Sequence, residues 1–469
     1  MELGEFVPLD NGMSGSEERM IKVLWLCNFM LPVVAQRLGL AATSKEGWVS
    51  GLAGEVLADQ KENTIHLAVA FPVERERDGF RETLRLDNGA ELECYGFYED
   101  MQHPEQYDIS LEERLARVIE QAQPDIVHCF GTEYPHTLAM CKVFPHKERI
   151  LIGIQGLCSL CADAYMADLP QKVAKSVTFR DWLRRDSLRD QQEKFGKRGV
   201  QEVAAVRLAG NLTGRTPWDK EHTLEWNPDA GYYAMNETLR KEFYKDTWEE
   251  GKCVPHSIFL SQGDYPLKGL HYMLLAMPEI LEQYPDATVC VAGNSLTAYD
   301  TWKDKLKISA YGKYLRKLMK QYDLMQKVTF LGMLDAREMK AQYLKSHLFV
   351  CPSALENSPN SLGEAMLLGM PVVAAEVGGV PGIFSNGKDG IGYEGFREKR
   401  SIPENSSGPD EEELTRVARE LAHAVLEMWQ NEEKRKEYCR NARDHALQTH
   451  DGEKNYQRLL EIYADIMEK

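Results

Sequence analysis

The sequence predicts an α/β protein built as two doubly wound, parallel-sheet domains facing each other across a cleft. Three observations carry that expectation. Short β-rich apolar runs alternate with helical periods, as in βαβ units. The alternation breaks near residue 165 and restarts near residue 257. The chain, at 469 residues, is also too long for one ordinary core.

In the first half, strands are expected at 22–27 (KVLWLC), 65–71 (IHLAVAF, ended by Pro72), 124–130 (PDIVHCF) and 150–154 (ILIGI). Helical stretches at 52–57 and 111–122 lie between them. Residues 165–200 read as a long helical segment, and 215–250 are aromatic and charged. In the second half, strands are expected at 257–260, 287–292, 328–331, 348–351 and 372–375, with helices at 270–283, 312–322, 339–345 and 365–368. A polar loop over 398–410 precedes two helical stretches. The expected division is an acidic leader over 1–20, an N-terminal Rossmann-like domain over 21–250 and a C-terminal Rossmann-like domain over 251–445. A helix over 446–469 has the option of returning to the first domain.

Composition narrows the function. Hydrophobic content of 43% with 28% charged residues suits a globular chain, and a formal net charge of −17 argues against nucleic acid as the main partner. No apolar run approaches the roughly 20 residues that span a bilayer, and the N-terminus has no signal-peptide core. Ten cysteines are scattered. Cys158 and Cys161, without a second pair, read as two half-buried thiols rather than a zinc site. Reduced thiols fit a cytoplasmic protein.

In open α/β sheets ligands bind outside the carboxyl ends of the strands. That directs attention to CPSALENSPNSLGEAMLLGMP, residues 351–371, just after an expected strand. Ser358-Pro359 has the form of a helix N-cap followed by proline at the first helical position. The amides of Asn360, Ser361 and Leu362 then form a helix N-terminus, a natural seat for a diphosphate. Glu356 in the loop and Glu364 in the helix suit polyhydroxyl groups, since each carboxylate oxygen accepts from a hydroxyl.

This stretch resembles the E-x7-E motif of the retaining GT4 family of glycosyltransferases. The likeness extends to Pro352-Ser353, Glu364-Ala-Met366, Gly369, Pro371-Val-Val373 and Gly378-Gly379-Val-Pro381, and is close over residues 255–395. It implies the GT-B architecture, with Glu356 on the donor sugar, the amides of Ser361 and Leu362 on phosphate and Glu364 on the ribose hydroxyls. In residues 261–269 (SQGDYPLKG) Lys268 and Gly269 match the family, whereas Gln262-Gly263 stands where an Arg is usual. Lys268 is thus the expected cation at the leaving diphosphate. The turn Gly332-Met333-Leu334 resembles the segment that cradles the nucleotide base. Gly382 stands where many relatives carry Glu.

The acceptor half matches more loosely. Gly47, followed by Trp48, lies where the family has a glycine-rich loop. His128, within a Pro-Asp-x-x-His run, reads either as a donor-site residue or as a hydrogen-bonded core histidine. Gln155 stands where many relatives have a His near the donor sugar. Arg215 is a candidate second cation facing the diphosphate, or half of a structural salt bridge. Residues 172–198 carry nine Lys/Arg against four acids, with Phe179, Trp182 and Leu183 interleaved. They read as a basic amphipathic helix, either solvated or lying on the inner face of a membrane.

The resemblance implies transfer of a hexosyl group, with retention, from a nucleoside-diphosphate sugar (UDP-sugar favoured) to a glycan, lipid-linked or small-molecule acceptor, as in polysaccharide biosynthesis. The expectation includes no metal and no cofactor beyond that co-substrate. The alternatives are a sugar-nucleotide epimerase on the same fold and a non-catalytic nucleotide-sugar-binding subunit.

Overall fold

The computed structural model describes residues 20–40, 47–59, 65–86, 89–397 and 410–469. The expected leader over 1–20 and most of the polar loop over 398–410 fall outside the described residues.

Two sheets organise the chain. The first contains β1 (Ile21–Leu26), β2 (Ile65–Val73), β3 (Arg81–Arg85), β4 (Glu91–Tyr98), β5 (Ile126–Phe130), β6 (Ile150–Gly153), β7 (Asn211–Gly214) and β8 (Gly231–Ala234). Their order is β3-β4-β2-β1-β5-β6-β7-β8, parallel except for the β3–β4 hairpin. The second contains β9 (Val254–Leu260), β10 (Thr288–Val291), β11 (Val328–Phe330), β12 (Ser346–Cys351), β13 (Val372–Ala375) and β14 (Ile391–Tyr393). It is wholly parallel, in the order β11-β10-β9-β12-β13-β14.

Both central strands are buried on two faces, which is why they read as continuous apolar runs rather than alternating ones. In β1, Val23 and Trp25 join one helical layer while Leu24 and Leu26 join the opposite one, following the period-two alternation of a strand. Pro72 does not end the strand before it: β2 runs through it to Val73, where it pairs with β4 near the sheet edge. β3, β4, β7, β8 and β14 were not anticipated, because charged residues interrupt the first two and the other three are only three or four residues long.

The segment around 165–200 is not one long helix. It contains short helices Gln171–Ala174 and Phe179–Arg184, then the long helix Leu188–Leu208. Two capping boxes, Thr178 with Asp181 and Ser187 with Asp190, start new helices where the sequence suggested continuity.

The helix Gly452–Glu468 packs against the first sheet, burying Tyr456, Leu459, Ile462, Tyr463 and Ile466 with Val23 and Trp25. Trp25 Nε1 donates to the Tyr463 hydroxyl (2.9 Å), which lies 2.8 Å from His128 Nδ1. Indole N–H can only donate, so the Tyr463 oxygen accepts from Trp25.

The candidate donor and acceptor site

The carboxyl ends of β9 and β12 converge on the loop that carries Glu356. Glu356 Oε1 accepts from Lys268 Nζ at 2.6 Å and from Ser353 Oγ at 2.8 Å. Lys268 reaches this position because Gly269, with φ +70°, brings its turn against the backbone of Pro352. A Cβ at Gly269 would lie 1.8 Å from the Pro352 carbonyl oxygen. Burial disfavours the Lys268 ammonium, but the charge and hydrogen bond of Glu356 outweigh that and hold it above the ordinary lysine range.

The next helix is Asn360–Leu367, and its N-cap is Pro359 rather than Ser358. No side chain caps it, because proline has no oxygen to offer. The Leu362 amide donates to the Pro359 carbonyl (3.0 Å), so it is spent inside the first turn. Among the described residues the amides of Asn360 and Ser361 have no such partner. The exposed donors at this terminus are therefore one residue earlier than expected.

Glu364 points from that helix toward the segment joining the domains. Its Oε1 accepts from Arg240 Nε (2.8 Å) and Nη2 (2.6 Å). Burial raises the Glu364 carboxyl to about 7, against the opposing pull of Arg240. Glu364, Arg240, Gln262, Lys268, Glu356, Asn360 and Ser361 line a cavity of about 370 Å³. A second cavity of about 560 Å³ lies between the domains, with Glu133, Arg198, Tyr165, Trp218 and Tyr265 in its walls. Lys268 and Glu356 line both.

The domains are sewn together beside this pair. Asn357 Nδ2 donates to Asp219 Oδ2 and to the Gln155 carbonyl, both at 2.9 Å, and Thr216 Oγ1 donates to Asn357 Oδ1 at 2.7 Å. Gly379 allows this approach: a Cβ there would meet the Asn357 carbonyl at 2.3 Å and Thr216 Oγ1 at 2.7 Å. Gly382 packs the same way, its Cβ direction ending 3.0 Å from Pro217 Cδ. The position where relatives carry Glu is here part of the domain seam.

Several anticipated residues have other positions. Arg215 does not face the diphosphate seat as a free cation. Its Nη1 pairs with Glu237 at 2.5 Å, with both side chains buried, and its guanidinium also reaches the Ser358 carbonyl (3.2 Å) and Gln155 Oε1 (3.4 Å). Burial raises Glu237 to about 7, opposed by Arg215. His128 is a core histidine. It is fully buried, stacked on Phe130 and held by Tyr463, and burial lowers it to about 3. Its Nε2 lies 3.3 Å from where a Gly153 Cβ would be, beside a void of only about 20 Å³. Gln155 is committed to Asn357 and Arg215.

Gly263 lines neither of these two cavities; its Cβ direction is closed at 2.9 Å by Leu270 and Val291. Gly332, with φ +78°, bridges to Gly293, and Met333 is exposed; with Leu334 they form a turn after β11, outside the walls of both cavities. Gly47 begins the helix Gly47–Asp59, whose Gly51 abuts the Thr238 carbonyl, and the side chain of Trp48 lies outside what is described. Cys158 is buried and Cys161 half-buried, both as free thiols. Sequence reasoning missed Arg240, Glu237 and Asn357. Only Asn357, inside the 351–371 motif, carried any signal.

Residues 247–400 match the family described as "Glycosyl transferases group 1". Spore coat protein SA of Bacillus subtilis is 28% identical over 166 residues, covering 34% of this chain and 41% of that protein. An uncharacterized glycosyltransferase of Methanocaldococcus jannaschii is 28% identical over 178 residues, 38% of each chain. The chain thus spans about two fifths of the length of these curated relatives. Among solved structures, sucrose-phosphate synthase from Thermosynechococcus elongatus superimposes with a TM-score of 0.64 at 13% identity, over 95% of this chain and 99% of the other. Anabaena HepE in complex with UDP and glucose gives 0.59 at 14% identity, over 95% and 100%. Residues 247–400 thus match the group 1 glycosyl transferase family, and they lie within a two-sheet fold shared with these solved structures.

Proposed function

We propose that this protein transfers a hexosyl group from a nucleoside-diphosphate sugar, with UDP-sugars the first choice, to an acceptor hydroxyl with retention of configuration. The observation that carries the reading is the Lys268–Glu356 pair, which forms the wall shared by two cavities. The smaller cavity has the parts a donor needs. Two helix-terminal amides at Asn360 and Ser361 and the Lys268 ammonium offer positive charge to a diphosphate, and the Glu364 carboxylate, oriented by Arg240, accepts from ribose hydroxyls. HepE, a structural neighbour, was crystallised with UDP-glucose, which supports UDP as the nucleotide to try first. The larger cavity, with aromatic faces and carboxylates, suits a polyhydroxyl acceptor.

In the proposed step the bond from the anomeric carbon to the β-phosphate oxygen breaks. The acceptor oxygen bonds to that carbon from the same face, and its proton passes to the departing phosphate oxygen. Glu356 releases Lys268 to the phosphate and takes a sugar hydroxyl. Lys268 and the helix amides then compensate the growing negative charge without a divalent ion.

The test begins with thermal-shift screening of UDP-, GDP- and ADP-sugars, since a ligand that binds the native state stabilises it by mass action. Transfer assays with the sugar that stabilises most should yield a glycoside of unchanged anomeric configuration by NMR, with turnover insensitive to EDTA. An inverted product would overturn retention, and a new sugar nucleotide formed without acceptor would mark an epimerase.

A further inference from the structure

The cavity of about 560 Å³ between the domains and an exposed apolar surface share one helix. Phe179–Arg184 contributes Arg180 and Asp181 to the cavity wall. On its outer side, Phe179, Trp182 and Leu183 are 55%, 68% and 64% exposed, and Val177 just before it is 58% exposed. The C-terminal domain supplies a matching element. The helix Trp302–Lys307 packs beside Phe179–Arg184 and exposes Trp302 (67%) and Leu306 (43%). Large apolar side chains scattered singly over a surface need no explanation, but five gathered on two adjacent helices, with Val177 beside them, do.

The exposed charges around them are mostly positive. Lys172, Lys175, Arg184, Arg185 and Arg189 are exposed on the first side, and Lys303, Lys305 and Lys307 on the second. The acids there are mostly engaged. Asp181 is buried, accepting from the amides of Thr178 and Ala310. Asp186 pairs with Arg180, and Asp304 caps its own helix through Thr301. Asp300 is exposed at the rim. In a chain of net charge −17, such a basic, tryptophan-bearing face is a local inversion.

We infer that this two-helix face docks the protein on an anionic phospholipid bilayer, with Trp182 and Trp302 entering the headgroup region and the lysines and arginines meeting the lipid phosphates. Tryptophan is suited to that depth because its ring is apolar while its N–H stays wet. Each cation near such a surface adds about 1 kcal/mol, and the attraction falls off within a Debye length. Asp181 ties the docking helix to the start of Ala310–Gln321 across the domain boundary, so both halves of the face are held in one surface. Docking would also bring a cavity wall to the membrane, where a lipid-borne acceptor would be presented. That last consequence rests on the proposed transfer; the docking itself does not.

Vesicle flotation tests it. The full chain is mixed with vesicles of phosphatidylcholine alone and with vesicles containing 30 mol% phosphatidylglycerol (about a third anionic). Binding is expected only to the anionic vesicles, weakened several-fold by 0.5 M salt (roughly a 4 Å screening length). It should be lost in Trp182→Glu/Trp302→Glu and reduced at least about tenfold in Lys303→Ala/Lys305→Ala/Lys307→Ala. UDP-induced thermal stabilisation should stay as in the parent in all variants, which separates this result from any failure of the donor site. Equal binding of parent and variants, or none to anionic vesicles, overturns the inference. So does a concentration-dependent dimer that the double variant abolishes, because the face would then be covered by a second copy.

Discussion

Arg240 directs two of its nitrogens, Nε and Nη2, at a single oxygen of Glu364, at 2.8 and 2.6 Å. The pair joins the segment between the domains to the helix Asn360–Leu367. Arg240→Ala should therefore lower affinity for free UDP as much as Glu364→Ala does, because the carboxylate loses the guanidinium that orients it. Isothermal titration of both variants checks this. Arg240→Lys should recover only part, since an ammonium does not reproduce the guanidinium fork. Wild-type affinity in Arg240→Ala would dissociate the pair from nucleotide binding.

Burial holds the Glu364 carboxyl at about 7. The proposed role needs the ionised form, since a carboxylate accepts from ribose hydroxyls at both oxygens while the acid has an O–H to place. The raised value means that Glu364 takes up its proton as pH falls through 7. UDP affinity should accordingly rise from pH 6 to pH 8, with a limit of about tenfold per unit on the acid side. Glu364→Gln removes this titration, so its pH profile, measured beside the parent's, isolates the contribution from that of the ligand phosphate.

Lys268→Ala should reduce turnover by roughly 10²–10³, the usual effect of deleting one preorganised charge-stabilising group. Lys268→Arg should restore a part. Glu356→Gln should instead depress turnover with little effect on affinity for free UDP, its proposed partner being the sugar. Equal losses for turnover and UDP binding in Glu356→Gln would remove that distinction.

Arg215→Ala should act chiefly on stability. It leaves Glu237 buried without its partner at 2.5 Å, and breaking such a pair costs roughly 3–5 kcal/mol. A fall in melting temperature much larger than that of Lys268→Ala is the expected outcome. Unchanged stability with lost turnover would return Arg215 to the leaving group.

Gly379→Ala should pry the domains apart locally, because its Cβ would meet Thr216 Oγ1 of the opposite domain at 2.7 Å, besides crowding the Asn357 carbonyl at 2.3 Å. Overpacking of this kind costs roughly 1–3 kcal/mol. Small-angle scattering should show a larger radius of gyration, and turnover should fall while UDP still binds.

The part of the site made by local sequence was legible. Glu356 and Glu364 follow a strand and enter a helix within a few residues, so their position at a strand end is determined by nearest neighbours. The parts made by distant partners were not. Arg240 lies 124 residues from Glu364, and His128 lies 335 from Tyr463. A sequence displays that a side chain is charged or titratable, but not which group the fold will bring to it. The same limit explains Arg215, whose charge was evident and whose partner Glu237 was not. In the fold, strands buried on both faces were visible as apolar runs, whereas β3 and β4, lying at the sheet edge with charged residues, showed no such signal.

The return of Gly452–Glu468 to the first sheet has a consequence for biosynthesis. Trp25 and His128 lie in strands translated early, yet the hydroxyl that satisfies both belongs to Tyr463, made more than two hundred residues after β8. At typical elongation rates of about 5–20 residues per second, the first domain waits on the order of ten to forty seconds for the helix that covers Val23, Trp25 and their neighbours. During that interval a broad apolar face of the nascent chain stays open to chaperones. The two halves of this chain are therefore separate in architecture but not in assembly.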